Sequence, residues 1–576
     1  MLNSGGKILY NSLIKNNVKH VFGYSGGSVM PLIDCLHSDF NNNIKLIVNT
    51  NELNTGLSAK GYAHSSDETG VCLVTSGPGI TNMITPILDA KNDNIPMVVI
   101  SGQVNINNKG TRAFQEAPAC ELTKDITKWN YSLDDINEME HILDEAFKVA
   151  NNGRKGPVHI DVPKCVNYQE LLWSKTTKST TNQKETITIS ENNIKKIANI
   201  INSSEKPILY IGAGCINASY ELRLLAKLGN IPVTSTIHAN GVFDDYDDLS
   251  LRWCGMHGYA PANYSLQEAD TIIAIGSRFD DRTTGNIQYY APNAFKAYKE
   301  KRGGIIHINI DPDELNFVID THYNICADSK DFISNILPFI NHKKRTKWLK
   351  QISELKRKHP FVIKSDPVKL HMENVLDRLN SATRRIETVF TTGVGNHQMQ
   401  TYQFIKSQTP RKIISSGSLG VMGAGLPYAI GAQLANPKKL VINIDGDSSF
   451  NMTLTDMKTI VENNLPVKIA VMNNNSQMMV TIWEKLFFEE RYTATSNNNN
   501  PDYCKLAESF GINSIKCDNA KNLDNTINQI INSNGPLLVE FKIEKDICLP
   551  LVGPGNALDD MLLEDVNTKL KGLSPS

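Results

Sequence analysis

The chain of 576 residues has no long apolar run; stretches such as Pro96-Met97-Val98-Val99-Ile100 fall far short of the roughly 20 residues that cross a bilayer. No charge excess exists: Lys and Arg total 59 and Asp and Glu 60, a net charge of -1. Nucleic acid and anionic membranes therefore have no electrostatic footing as partners. The ten cysteines form no C-x-x-C pair, which suits reduced thiols in a cytoplasmic compartment. Met1-Leu2-Asn3-Ser4-Gly5-Gly6-Lys7 lacks both an apolar signal region and an Arg-rich amphipathic stretch, so no targeting segment is expected. What is present is a globular composition, 40% apolar against 21% charged, at a length suited to about three to five domains. Asn is unusually frequent, about one residue in ten, and is read as compositional bias without chemical meaning.

Short β-branched runs alternate with helix-length amphipathic stretches. They fall at Lys45–Val48, Val71–Thr75, Met97–Ile100 and Val158–Val162, then Pro207–Ile211, Ile231–Thr234, Thr271–Ile275 and Ile305–Ile310, then Val389–Thr392, Leu440–Ile444, Val467–Met472 and Leu537–Phe541. Such alternation predicts three α/β domains with parallel sheets. Ser174–Thr188 has linker composition, and the basic stretch His342–His359 reads as a linker or a solvated helix. A weak repeat relates the outer thirds: Asn94-Ile95-Pro96 and Asn464-Leu465-Pro466 introduce apolar runs, as do Gly156-Pro157 and Gly535-Pro536.

Leu440-Val441-Ile442-Asn443-Ile444-Asp445-Gly446-Asp447-Ser448-Ser449 is an apolar strand ending in a small, acidic turn. Ligands of α/β sheets bind at the carboxyl ends of strands. Small residues there let backbone N–H groups approach an anion, and a carboxylate can hold Mg²⁺, which takes oxygen ligands and bridges to phosphates. The run Val467–Met472 ends in Asn473-Asn474-Asn475. Asp447 and Asn474 lie 27 residues apart, one β-α-β crossover, so both fall at one sheet edge. Either turn alone is ordinary; the pair offers a carboxylate and an amide oxygen to one hard cation.

These residues resemble the signature of thiamine-diphosphate enzymes, a Gly-Asp-small-small turn followed one crossover later by Asn-Asn. Ile430-Gly431, Pro437, Ile442 and Ile444 match its extended form. The resemblance implies that Asp447, Asn474 and the carbonyl of Ser476 hold Mg²⁺. It implies that Val394, Gly395, Asn396, His397, Gly446, Ser448, Ser449 and Met479 contact thiamine diphosphate. Met422, in the turn Gly420–Gly425, would wedge between the two cofactor rings. Glu52, followed by Ala59-Lys60-Gly61-Tyr62-Ala63, would activate the aminopyrimidine through its ring nitrogen. Tyr24, Gly26, Pro78 and Asn82 would complete this side of the site.

Over nearly the whole chain the sequence is similar to acetolactate synthase (acetohydroxyacid synthase) catalytic subunits. Thr111-Arg112-Ala113-Phe114-Gln115-Glu116, Gly156-Pro157-Val158-His159-Ile160-Asp161-Val162-Pro163-Lys164 and Gly276-Ser277-Arg278-Phe279-Asp280-Asp281-Arg282 carry the likeness. It implies three doubly wound domains: pyrimidine-binding (1–170), central FAD-binding (190–342) and diphosphate-binding (368–545), with a tail at 546–576. A mainly structural FAD would be lined by Arg154, Gly212, Gly214, Thr236, Met256 and His257, and by Gly276, Arg278, Asp281, Arg282, Asp311 and Asp328. Trp483 would shape the second-substrate pocket, and Phe114, Gln115 and Lys164 would steer the 2-keto acid. The implied reaction decarboxylates pyruvate and joins the two-carbon unit to pyruvate or 2-ketobutyrate, the first common step of branched-chain amino acid biosynthesis. A homodimer or homotetramer with sites shared between chains, and a small regulatory subunit, are also implied. A thiamine–flavin 2-keto acid decarboxylase or pyruvate oxidase, and a weakly active homologue with a structural or regulatory role, are the alternatives.

Departures from the family pattern are Asn51 for His, Ser25 for Pro, Asn105 for Pro, Met478 for Gly, and the segment Leu53-Asn54-Thr55-Gly56 for Gln-Gly-Ala-Gly. Asn105 lies in a segment that meets herbicides in the family. The purified protein is therefore expected to resist sulfonylurea-type inhibitors, and tight inhibition in an activity titration would contradict this.

Overall fold

The structure is a computed structural model that describes residues 2–38, 43–172, 189–364 and 366–564. Three six-stranded parallel sheets carry the chain, each flanked by helices. All twelve β-branched runs coincide with strands, the one at Ile231–Thr234 shifted to Val233–Ser235. Strands without such a signal lie mostly at sheet edges, as Trp129–Ser132 and Asn513–Cys517 do. An edge strand has one open side and needs no continuous apolar run; Trp129–Ser132 is half-buried throughout. The stretch of linker composition at Ser174–Thr188 lies outside the described residues.

Numbered in chain order within each sheet, the strands lie 2-1-3-4-6-5 in the first and third sheets and 3-2-1-4-5-6 in the second. The outer domains thus share one topology and flank a different one. The repeated tripeptides have a matching geometry. Asn94 and Asn464 both take left-handed φ, 58° and 52°, and the next residue in each donates back into the preceding helix, Ile95 N to Ala90 O and Leu465 N to Ile460 O.

The outer domains meet through equivalent helices, Glu52–Ser65 and Gly425–Ala435, each following strand 2 of its sheet. The first is buried nearly all round, which explains its lack of an apolar stripe. The crossing is close because glycines face it. A Cβ on Gly431 would stand 2.0 Å from Ser58 O, and one on Gly61 would stand 2.6 Å from Tyr428 Cα.

Beside this crossing lies a buried ionic cluster. Lys60 Nζ sits 2.6 Å from both Asp89 Oδ2 and Asp93 Oδ2. Burial alone would lower the ammonium pKa; the two carboxylates outweigh it and raise it. Asp89 accepts from Ser416 Oγ (2.6 Å), and that hydroxyl accepts from Gly420 N and Val421 N (3.0 Å each). Asp93 accepts from Ser418 N (3.0 Å) and lies 3.1 Å from His238 Nε2 of the second domain. The cluster joins all three domains and holds the turn that leads to Met422.

Within the basic stretch His342–His359, the helix Thr346–Lys358 buries Trp348 and Ile352, and Trp348 Nε1 donates to Pro207 O at 3.0 Å. It is a helix packed on the second domain, neither a linker nor fully solvated. After the third sheet the chain returns to that domain: Val552 N donates to Met256 O (2.8 Å) and Gln267 Nε2 to Asp559 Oδ1 (2.9 Å). Among the described residues no helix is long and apolar enough to cross a membrane.

Gly431→Ala tests the crossing. Helix propensity alone predicts a gain of about 1 kcal/mol, but the new methyl meets backbone, and overpacking costs about 1–3 kcal/mol or more. The thermal midpoint is expected to fall; a rise would refute the close crossing.

Candidate functional site

The third sheet opens a small cavity at the carboxyl ends of its strands. Strand Leu440–Gly446 delivers Gly446, Asp447, Ser448 and Ser449; strand Thr388–Thr392 leads to Val394, Gly395, Asn396 and His397; strand Lys468–Asn473 leads to Asn474 and Ser476. All of these line the cavity together with Met422 and Met479. The place is where strand order reverses between strands 1 and 3, the usual ligand crevice of such sheets.

Asp447, Asn474 and Ser476 all line this cavity; a carboxylate and neutral oxygen donors are the residue chemistry that suits Mg²⁺. Burial raises the Asp447 carboxyl pKa, and hydrogen bonds from Asn497 and Asn500 oppose that. Among the described residues Asn396 Oδ1 and His397 Nε2 are buried without a hydrogen-bond partner, His397 Nε2 lying 3.2 Å from the buried Asp445 Oδ1. Unpaired buried polar atoms are costly: the amide oxygen calls for a donor, and an imidazole N–H is a group from which an anion such as a diphosphate accepts.

A cavity of about 690 Å³ lies against the second sheet. Its floor is the point where the 3-2-1-4-5-6 order reverses, between strands Pro207–Ile211 and Thr271–Ile275. The turns after these strands pack so tightly that a Cβ on Gly212 would stand 2.1 Å from Gly276 O. Gly212, Gly214, Thr236, Met256, His257 and Gly276 line this cavity, as do Arg154, Arg278, Asp281, Arg282 and Asp328. Asp311 does not; it pairs with Arg154 Nη1 at 3.1 Å, beside Glu314 at 2.5 Å. Volume, switch-point position and arginines together fit a dinucleotide. Burial depresses His257 to about 4, so it faces the cavity as neutral imidazole. Val394, Gly395 and Met479 line both cavities, and Trp483 lines the larger one.

The first sheet carries a separate group. Glu52 opens its helix, and Asn82 Nδ2 donates to Glu52 Oε2 at 2.9 Å. Asn51, a departure from the family pattern, caps that helix through Oδ1, which accepts from Asn54 N at 2.8 Å. Gly26 packs on Thr75, and Gly77, which precedes Pro78, packs on the backbone of Gln115. Phe114 is 89% exposed, Tyr24 39%, and Lys164 is exposed at the start of the helix Lys164–Tyr168. Within one chain Glu52, Asn82, Phe114, Gln115 and Lys164 line neither cavity, so this group and the Asp447 group are not brought together.

Sequence reading missed the supports. Asp456 of the third domain accepts from Asn49 Nδ2, Thr50 N and Thr50 Oγ1, each at 2.9 Å, and so fixes the loop before Glu52. Asn497 and Asn500, part of the asparagine excess read as bias, donate to Asp447. Glu484 pins the segment before them: Oε1 accepts from Thr493 N and Oε2 from Thr495 Oγ1, both at 2.7 Å.

Family models for thiamine pyrophosphate enzymes match all three domains: the N-terminal TPP binding domain over residues 3–122, the central domain over 194–336 and the C-terminal TPP binding domain over 393–541. The chain is 41% identical to the acetolactate synthase catalytic subunit, mitochondrial, of Saccharomyces cerevisiae, over 97% of this chain and 83% of the yeast protein. It is 36% identical to acetolactate synthase isozyme 1 large subunit of Escherichia coli, over 97% and 98%. It is 35% identical to acetolactate synthase 1, chloroplastic, of Zea mays, over 97% and 89%.

Glu484→Ala leaves a backbone donor and a buried hydroxyl unpaired, a loss of about 1–3 kcal/mol each at most. Amide exchange at Thr493–Ser496 is expected to quicken and the melting midpoint to fall; unchanged exchange would show that Glu484 does not hold this segment.

Proposed function

The chain belongs to the acetolactate synthase family of thiamine-diphosphate enzymes, and on that premise we propose that it decarboxylates pyruvate and ligates the two-carbon unit to a second 2-keto acid, giving 2-acetolactate or 2-aceto-2-hydroxybutyrate. The observation that carries the reading is the convergence of Asp447, Asn474, Ser476 and Met422 on one cavity in a chain similar to these synthases from end to end.

Thiamine diphosphate, when bound, supplies the nucleophilic carbon and the electron sink that decarboxylation and ligation require. Asp447, Asn474 and the Ser476 carbonyl are the residues that would hold Mg²⁺ against its diphosphate, with His397 and Ser449 beside it. Glu52 would hold a proton at its carboxylate, oriented by Asn82, and general acid–base work of this kind contributes about 10²–10⁴-fold. Lys164 and Gln115 would orient the substrate carboxylate, and Trp483 would bound the second substrate. Apolar Met422, Met478 and Met479 would exclude water from the reacting centre, which protects a reactive intermediate from protonation. FAD would occupy the larger cavity, its diphosphate meeting Arg154, Arg278 or Arg282.

A homodimer is the minimum assembly in this reading, because the Glu52 group lines no cavity with the Asp447 group of its own chain. Exposed Phe114, Met452 and Val480 give apolar surface to such an interface; a homotetramer would extend it. A small regulatory subunit agrees with relatives named catalytic or large subunits. A cytoplasmic, reducing location suits ten unpaired cysteines. The oxidase alternative draws support from one feature, the shared wall Val394, Gly395 and Met479 between the two cavities.

Product analysis separates these readings. With pyruvate, thiamine diphosphate, Mg²⁺ and FAD, the purified chain is expected to form acetolactate, and Glu52→Gln is expected to slow it at least about 100-fold. Acetaldehyde or peroxide as the main product would move the assignment to a decarboxylase or oxidase.

A further inference from the structure

The proposed metal carboxylate is held from behind by an asparagine pair. Asp447, 1% exposed, accepts on Oδ2 from two asparagine side chains: from Asn500 Nδ2 at 2.7 Å and from Asn497 Nδ2 at 3.0 Å. Each asparagine also reaches the neighbouring turn, the one that carries Asn474. Asn500 Nδ2 lies 3.3 Å from Asn473 Oδ1 and 3.2 Å from Asn475 Oδ1, and Asn497 N donates to Asn475 O at 2.9 Å. The pair therefore spans the two turns that supply Asp447 and Asn474.

The orientation of the Asn500 amide is forced. Three acceptor oxygens converge on Nδ2, so the reverse flip would set Oδ1 against a carboxylate and two amide oxygens. On its other side, Asn500 Oδ1 accepts from Asn451 Nδ2 (2.9 Å), and Asn451 Oδ1 accepts from Tyr503 Oη (2.9 Å). Tyr503 is fully buried, its ring 5.7 Å from that of Phe450. A hydrogen-bonded line thus runs from the domain core to Asp447.

We propose that Asn500, oriented through Asn451 and Tyr503, is a positioning residue that fixes the Asp447 carboxylate and its spacing from Asn474, so that the chain binds Mg²⁺ without having to order those turns. Groups behind a metal ligand act in this way and typically change metal affinity 10–100-fold. The inference rests on the reading of Asp447 as a Mg²⁺ ligand.

The test is calorimetric titration of Mg²⁺ into the full chain, stripped of metal and saturated with thiamine diphosphate, with the melting midpoint of the metal-free form measured alongside. Asn500→Ala is expected to weaken Mg²⁺ binding about 10–100-fold with the metal-free midpoint unchanged. Tyr503→Phe, which touches no ligand, is expected to weaken it less and in the same direction. Wild-type affinity in Asn500→Ala overturns the inference. If that variant also melts early, Tyr503→Phe decides: weakened binding supports the line and wild-type binding overturns it. Asp447→Asn separates the two levels. Unchanged Mg²⁺ binding there removes the metal reading itself, whereas lost binding there beside normal binding in Asn500→Ala removes only the positioning role.

Discussion

An ammonium group with no exposed surface, held between two aspartates, sets the geometry on which the site depends. Lys60, Asp89 and Asp93 come from the first domain, yet their remaining hydrogen-bond capacity is used on Ser416 and Ser418 of the third and on His238 of the second. Removing one partner of such a buried set leaves an uncompensated charge, a loss of about 3–5 kcal/mol. What ties the domains together is the set of bonds these carboxylates make across to Ser416, Ser418 and His238, whose loss would leave buried acceptors unsatisfied. Its nearest consequence is the turn Gly420–Val421, whose amides end on Ser416, and which presents Met422 to the small cavity.

The outer domains show how one topology serves two tasks. Both order their strands 2-1-3-4-6-5 and pack through the helix after strand 2. In the third domain the strand ends converge on a small, partly open cavity lined by Asp447, Asn474 and several methionines. In the first they hold Glu52 buried at the start of its helix, hydrogen-bonded to Asn82, and leave Phe114 exposed. That the Glu52 group lines no cavity with the Asp447 group of its own chain is the observation on which the proposed homodimer rests. The central domain, with its different order, contributes the crevice that suits a dinucleotide.

Strands with two covered neighbours were legible because both of their faces must be apolar, so Thr271–Ile275 and Leu440–Ile444 stand out as runs. Edge strands such as Trp129–Ser132 were not, since half-burial leaves a mixed composition. Asp447 and Asn474 were legible because each lies one residue beyond a strand, one crossover apart, and crossover length is local information; the rest of the cavity lining was implied only by the family resemblance. Asp311 shows the limit: a motif position near a site is turned to an ion pair with Arg154 instead of the cavity wall.

By itself the sequence determined the inner strands, their grouping into three α/β units and the pairing of Asp447 with Asn474, which follow from local periodicity and the spacing of one crossover. Tertiary structure alone decided which groups support that chemistry. Asn49 and Asp456 are 407 residues apart, and Asn500 reaches Asp447 across 53; no periodicity spans such distances. The asparagines that composition marked as bias acquire meaning only once folding removes water from around a carboxylate and makes an oriented amide its replacement.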